Sequence, residues 1–266
     1  MSGPQCCSNP PTLDPSAGSG HVEQLGGLTT YVSSSSDSKL AIILLSDIFG
    51  YEAPKLRRLA DKVAAAGFYV VVPDFLHGNP FSFENADRPL PVWIKDHGTD
   101  KGFEEAKPVI EAVKSKGVSA VGAAGFCWGA KVVVQLAKYE LIQAAVILHP
   151  YIVTLDDIKG MDSNVNQISK CVIYILMVIV WNSLISAVKV PIAVLGAEID
   201  ELAPPELLKQ FEQVLSTKPE VDSYVKIFPK VIHGWTTRYD DEDDGAVKSA
   251  EEAHQDLLQW FVKYVK

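Results

Sequence analysis

Short, unbroken apolar runs alternate along this chain with segments whose apolar residues recur at helical spacing. Leu40–Leu45 (LAIILL) is apolar throughout and has the length of a strand. Ala53–Ala66 follows, with Leu56, Leu59, Ala60 and Val63 spaced to share one helical face. The same reading predicts strands at Phe68–Val72, Val118–Ala123, Ala144–Leu148, Val190–Leu195 and Ser223–Phe228. It predicts helices at Glu104–Lys114, Ala130–Lys138, Pro204–Leu215 and Ala246–Val265. Strands without polar alternation are buried on both faces. When helices separate them, they imply an α/β fold with a mostly parallel sheet covered on both sides. Phe75–His97 has no clear period and holds several Pro and aromatic residues, which predicts a loop or cap over one end of the sheet.

Two segments stand outside this pattern. Residues 1–20 are rich in Pro, Ser and Gly and read as a disordered tail. Residues 21–266 then form a single domain, interrupted at 161–187. That interruption contains eleven consecutive apolar residues, Cys171–Trp181. It is too short to span a bilayer, which takes about 20 residues, and has neither strand alternation nor an amphipathic stripe. Joining Gly160 to Val188 restores a short connection of the kind this fold uses. The expectation is a retained intron or a mispredicted exon translated in frame. A membrane-contacting hairpin and an apolar dimerisation element are the rival readings.

Charge narrows the partners. The 266 residues hold 24 Lys and Arg against 33 Asp and Glu, a net charge of −9. A nucleic-acid binder needs a basic face, and a polybasic membrane-surface protein needs a basic cluster, so neither is expected. No membrane partner is expected unless residues 161–187 form an exposed apolar element. The run Asp240–Asp244 reads as a solvated turn, since adjacent like charges repel and do not converge on one ion. Cys6, Cys7, Cys127 and Cys171 have neither disulfide-framework nor zinc spacing. With no apolar leader at the start, the expected location is cytoplasmic, where thiols stay reduced.

One motif carries chemistry. Gly125-Phe126-Cys127-Trp128-Gly129 lies between a predicted strand and a predicted helix, the context of a G-x-nucleophile-x-G elbow. The flanking glycines leave room where side chains would collide, and the nucleophile stands at a helix N-terminus, which favours an anion. Such an elbow needs an acid and then a histidine, each after a later strand. Val190–Leu195 runs into Asp200, with Glu198 and Glu201 as rival acids. Ser223–Phe228 runs into His233. Cys127 is then the nucleophile, His233 the base and Asp200 the group that orients it. The turn after Leu45 lies beside the elbow, so the backbone N–H groups of Ile48 and Trp128 would form an oxyanion hole. Asp47, in that turn, aims a carboxylate near the thiol. His21, His77, His97 and His149 lack this placement, and His149 reads as structural beside Pro150.

These residues resemble the dienelactone hydrolase family of the α/β-hydrolase fold. The resemblance rests on Asp47-Ile48-Phe49-Gly50, Val72-Pro73-Asp74, the elbow, Gly196-Ala197-Glu198-Ile199-Asp200 and His233-Gly234-Trp235. It implies a Cys127–His233–Asp200 triad and hydrolysis of a small ester or lactone through a thioester, with no metal or organic cofactor. It implies a thiol-interacting carboxylate at Asp47, where family members usually carry Glu. It also implies an arginine for a substrate carboxylate, a role Arg238 would fill. The plant branch, whose members are often named endo-1,3;1,4-β-glucanases, has the same Trp residues. A glycosidase usually needs two carboxylates facing across a sugar ring. The alternatives to the esterase are therefore that glucanase activity and a catalytically silent binding protein.

Overall fold

The structure, a computed structural model, describes residues 9–34, 37–160 and 187–266. Eight strands form one sheet: β1 (His21–Leu25), β2 (Leu28–Ser34), β3 (Leu40–Leu45), β4 (Tyr69–Pro73), β5 (Ala120–Phe126), β6 (Ala144–Leu148), β7 (Ile192–Ile199) and β8 (Ser223–Ile232). Their order is β1-β2-β4-β3-β5-β6-β7-β8. The β1–β2 and β2–β4 pairs are antiparallel, and every pair from β4 to β8 is parallel. The antiparallel β1–β2 hairpin is an addition to the predicted strands.

Side-chain alternation on the central strands feeds two cores. Ile43 and Leu45 of β3, Val121 and Ala123 of β5, and Ile147 of β6 face one layer. That layer holds α3 (Thr99–Ser115), α4 (Trp128–Lys138) and α6 (Pro205–Ser216). Ile42, Leu44, Ala124, Phe126, Val146 and Leu148 face the other, against α1 (Pro54–Ala65) and α7 (Asp244–Tyr264). This two-sided burial explains why the strands are apolar at every position. Each enclosed Leu, Ile or Phe contributes roughly 1.5–3 kcal/mol.

Among the described residues there are two short helices as well, α2 (Leu90–Asp96) and α5 (Leu155–Lys159). The first lies inside the predicted cap, Phe75–His97. Phe81 N–H donates to Ile48 O at 2.8 Å, and Trp128 Nε1–H donates to His97 O at 2.8 Å. The cap is thereby fastened over the carboxyl ends of β3 and β5. Residues 9–20, part of the expected tail, are laid against α1 and the sheet. Arg57 donates to Pro15 O at 2.6 Å, Ser19 N–H to Asp61 at 2.7 Å, and Gly20 N–H to the Tyr31 hydroxyl at 2.8 Å. The start of the tail and the apolar interruption, apart from Ala187, lie outside the described residues.

Candidate active site

Residues 47, 127, 149, 200 and 233 all follow the carboxyl ends of parallel strands, β3, β5, β6, β7 and β8 in turn. Parallel strands deliver such positions to a single edge of the sheet. The chain leaves β3 in one direction for β4 and later returns to β5 on the other side of β3. That switch point is where open α/β sheets bind ligands.

At the elbow, β5 ends on Phe126, α4 begins on Trp128, and Cys127 between them has φ 51° and ψ −107°. A left-handed φ on a residue with a side chain costs about 1–3 kcal/mol, so the surroundings must hold it. Cys127 N–H donates to Leu148 O at 3.1 Å, and Cys127 O accepts from Ala130 N–H at 3.2 Å and Tyr151 N–H at 3.1 Å. A Cβ on Gly125 would stand 2.3 Å from Gly129 O, and one on Gly129 would stand 2.3 Å from Leu45 O. Both positions therefore require glycine. Cys127 itself is wholly buried. The contact of Gly129 with Leu45 brings the turn after β3, which carries Ile48, beside the first residue of α4, Trp128.

His233 and Asp200 form a buried pair, with His233 Nδ1 2.8 Å from Asp200 Oδ2. The other oxygen of Asp200 accepts from Leu202 N–H at 2.9 Å and Ala203 N–H at 3.1 Å, which fixes the carboxylate. His233 Nε2 is buried and has no hydrogen-bond partner among the described residues. The rival acids are elsewhere: Glu198 accepts from Lys230 N–H at 2.7 Å on an exposed surface, and Glu201 is exposed.

Asp47 is also brought to this edge. Its Oδ1 accepts from Phe49 N–H at 2.9 Å, and its Oδ2 lies 3.4 Å from Arg238 Nε. Burial pushes the Asp47 carboxyl up, opposed by the Arg238 charge, the Phe49 N–H and His233. The Arg238 guanidinium is enclosed, lying over the Phe49 ring at 5.2 Å and against Gly234, where a Cβ would stand 2.1 Å from Nη2.

The remaining histidines differ. His21 and His77 are exposed and paired with Glu23 and Glu105, while His97 stacks on Trp93 at 4.0 Å within the cap. His149 sits edge-on to His233, with ring centroids 4.9 Å apart, and its Nε2 is 2.8 Å from Thr236 Oγ1. It therefore lies beside His233 as well as beside Pro150. Its position directly after Leu148 is the signal that it belongs to the site edge. His254, not singled out in the sequence, is buried with Nε2 2.8 Å from Thr236 O.

The sequence profile of the dienelactone hydrolase family matches residues 28–265. The chain belongs to that family. With its family it is a carboxylic ester hydrolase. Among its relatives is a Zea mays protein named endo-1,3;1,4-β-D-glucanase, 37% identical over 82% of this chain and 63% of the maize protein. The chain thus spans less than two thirds of that relative's length. A carboxymethylenebutenolidase homologue from Xenopus tropicalis is 28% identical over 92% of this chain and 91% of its own. The crystal structure of a dienelactone hydrolase from Anabaena variabilis shares the fold, with a TM-score of 0.58 at 14% identity, covering 97% of this chain and all of that one. Among the described residues, no helix is long and apolar enough to cross a membrane.

Proposed function

We propose that this member of the dienelactone hydrolase family cleaves a small ester or lactone through a Cys127 acyl-enzyme. Cys127 Sγ gives its proton to His233 Nε2 and attacks the carbonyl carbon. The carbonyl oxygen takes the electron pair and is held by the N–H groups of Ile48 and Trp128. The intermediate collapses, the C–O bond breaks, and His233 returns the proton to the leaving alkoxide. Water, deprotonated by His233, then attacks the thioester, which releases the carboxylic acid and restores the thiol. Asp200 keeps His233 protonated at Nδ1 and stabilises the imidazolium. The same reading sets the enzyme in a reducing, cytoplasmic compartment.

The observation that carries this reading is the buried Asp200–His233 hydrogen bond with Nε2 left open. It stands at the same sheet edge as a cysteine held in a left-handed turn at a helix N-terminus. Arg238 supports a substrate that carries a carboxylate: a guanidinium binds that group in two-pronged fashion, and Asp47 compensates its charge until substrate arrives. The test is hydrolysis of a dienelactone, a neutral aryl ester and a mixed-linkage β-glucan by the purified protein and by Cys127→Ala. Turnover of the first two that vanishes with Cys127 supports the reading. Release of reducing ends from the glucan that survives Cys127→Ala would replace it with the glycosidase. No turnover from folded protein would favour a silent binding protein. Arg238→Met should raise KM for the dienelactone about tenfold and leave the neutral ester near its original value.

A further inference from the structure

His149 contacts the loop after β8 at three places. Its ring meets His233 edge-on, with centroids 4.9 Å apart and planes at 68°, and meets Trp235 at 5.5 Å and 66°. Its Nε2 lies 2.8 Å from Thr236 Oγ1. On its own side it is anchored by His149 N–H donating to Leu195 O at 2.9 Å. It holds φ 37°, left-handed for a residue with a side chain, and is wholly buried. Backbone strain at a buried polar residue beside a candidate base needs a compensating role.

A hydrogen bond at one atom does not fix an imidazole. The Nδ1–Asp200 bond leaves the His233 ring free to swing about that contact, and such a swing moves Nε2. We infer that His149 is a positioning residue: its ring sets the plane of the His233 imidazole and so the direction in which Nε2 points. The groups around His233 divide the work. Asp200 fixes Nδ1, Asp47 and Arg238 supply a compensated charge pair, and His149 supplies an uncharged wall. Burial, together with the charges of His233 and Arg238, holds His149 well below the ordinary histidine range, so it does not compete for the proton. Thr236 locks the wall in place, and its own backbone oxygen is held by His254 Nε2 at 2.8 Å.

This inference rests on His233 acting as the base, but its test reads the ring directly. The His233 Nδ1 proton, shielded and bonded to Asp200, should give a downfield NMR signal that His233→Gln removes. His149→Gln keeps a hydrogen-bonding group for Thr236 and removes the ring. It should broaden that signal through solvent exchange and lower kcat about tenfold, with KM changed less than twofold. His149→Phe restores a ring without the hydrogen-bonding group. It should retain the signal and keep kcat within about threefold of the parent. Should His149→Gln not fold, His149→Leu removes the ring while keeping a side chain of similar bulk, and should broaden the same signal. A sharp, unshifted signal in folded His149→Gln, or equal damage from Phe and Gln, would overturn the inference. If wild-type protein has no Cys127-dependent turnover, the proposed function fails. The NMR comparison would still decide whether His149 orients the ring.

Discussion

Arg238 Nε lies 3.4 Å from Asp47 Oδ2, and the two side chains are almost completely enclosed. They come from turns after β3 and β8, at positions separated by most of the chain. Removing one partner leaves the other charge buried alone, which typically costs about 3–5 kcal/mol. Arg238→Met should show a loss of that size in urea unfolding at pH 7. Burial already pushes the Asp47 carboxyl above its usual range, and losing Arg238 pushes it further. The folded variant then binds a proton that the unfolded chain, with its ordinary carboxylate, releases. Its stability should therefore fall as pH rises from about 4, with the deficit small in acid and full at neutrality. The double variant with Asp47→Asn should recover most of the loss. A single variant within about 1 kcal/mol of the parent would mean that the pair does not hold these turns together.

The elbow makes a steric prediction. A Cβ on Gly129 would meet Leu45 O at 2.3 Å, against backbone, so β3 or α4 must shift. That shift separates Ile48 from Trp128. Gly129→Ala should lose at least about 100-fold in ester turnover and roughly 3 kcal/mol or more of stability. Gly98 is the control. It has φ −64° and open space where a methyl group would stand, so Gly98→Ala should change stability by less than about 1 kcal/mol. Equal behaviour of the two variants in thermal unfolding and esterase assays would refute the steric account.

Buried histidines set an acid limit on stability. His254 is pushed down to about 4 by burial, and His149 is also held well below its ordinary value. Between pH 6.5 and 4 the unfolded chain protonates His254 while the folded one keeps it neutral. Unfolding therefore takes up protons, and stability falls as pH drops through this window. Each such group contributes a slope of about 1.4 kcal/mol per pH unit. His254→Gln, which can still donate to Thr236 O, should remove one proton's worth of slope from Tm or urea midpoints measured across that range. An unchanged slope would mean that His254 titrates normally in the folded protein.

The order of strands and helices was legible because the central strands are buried on both sides and so are apolar at every position. The β1–β2 hairpin was not. His21 and Val22 are exposed and Glu23 half-exposed, so no apolar run marks β1, although Gly26-Gly27 is a turn signal between the two strands. β7 and β8 run to Ile199 and Ile232, past the predicted ends at Leu195 and Phe228, through a register irregularity between Ala197 and Ile199. The gathering of Cys127, Asp200, His233 and Asp47 at one edge followed from each lying just after a parallel strand. Arg238 could not be told from a surface residue, because its burial depends on Gly234 and Phe49 folding around it. His149 obeyed the strand-end rule, but its partners lie on a distant loop that no local pattern connects to it.

The two sides of the apolar interruption meet in the fold. A Cβ on Gly160 would stand 2.9 Å from Ala187 N, and Val188 N–H donates to Ile158 O at 3.4 Å. The chain before and after residues 161–186 therefore needs only a peptide-sized step to be joined. α5, on the near side, is independently held: Thr154 and Asp157 form a capping box, and Asp157 accepts from Lys131 at 2.5 Å and Lys138 at 3.1 Å, both on α4. Val188 and Val190, on the far side, are buried in the core. Deleting 161–186 should thus leave β7, and Asp200 at its end, where they are. Gly160 already has φ +82°, so it can turn the chain into Ala187 without strain. The expected result is a soluble deletion variant with a Tm no lower than the parent's. Its His233 Nδ1 proton signal should be unchanged, and its Cys127-dependent turnover at least equal. A deletion that unfolds, or that loses the proton signal while the parent keeps it, would show that the interruption supports the strand that delivers Asp200. Transcript reads that join the codons for Gly160 and Val188, with few carrying the interruption, would trace it to a retained intron.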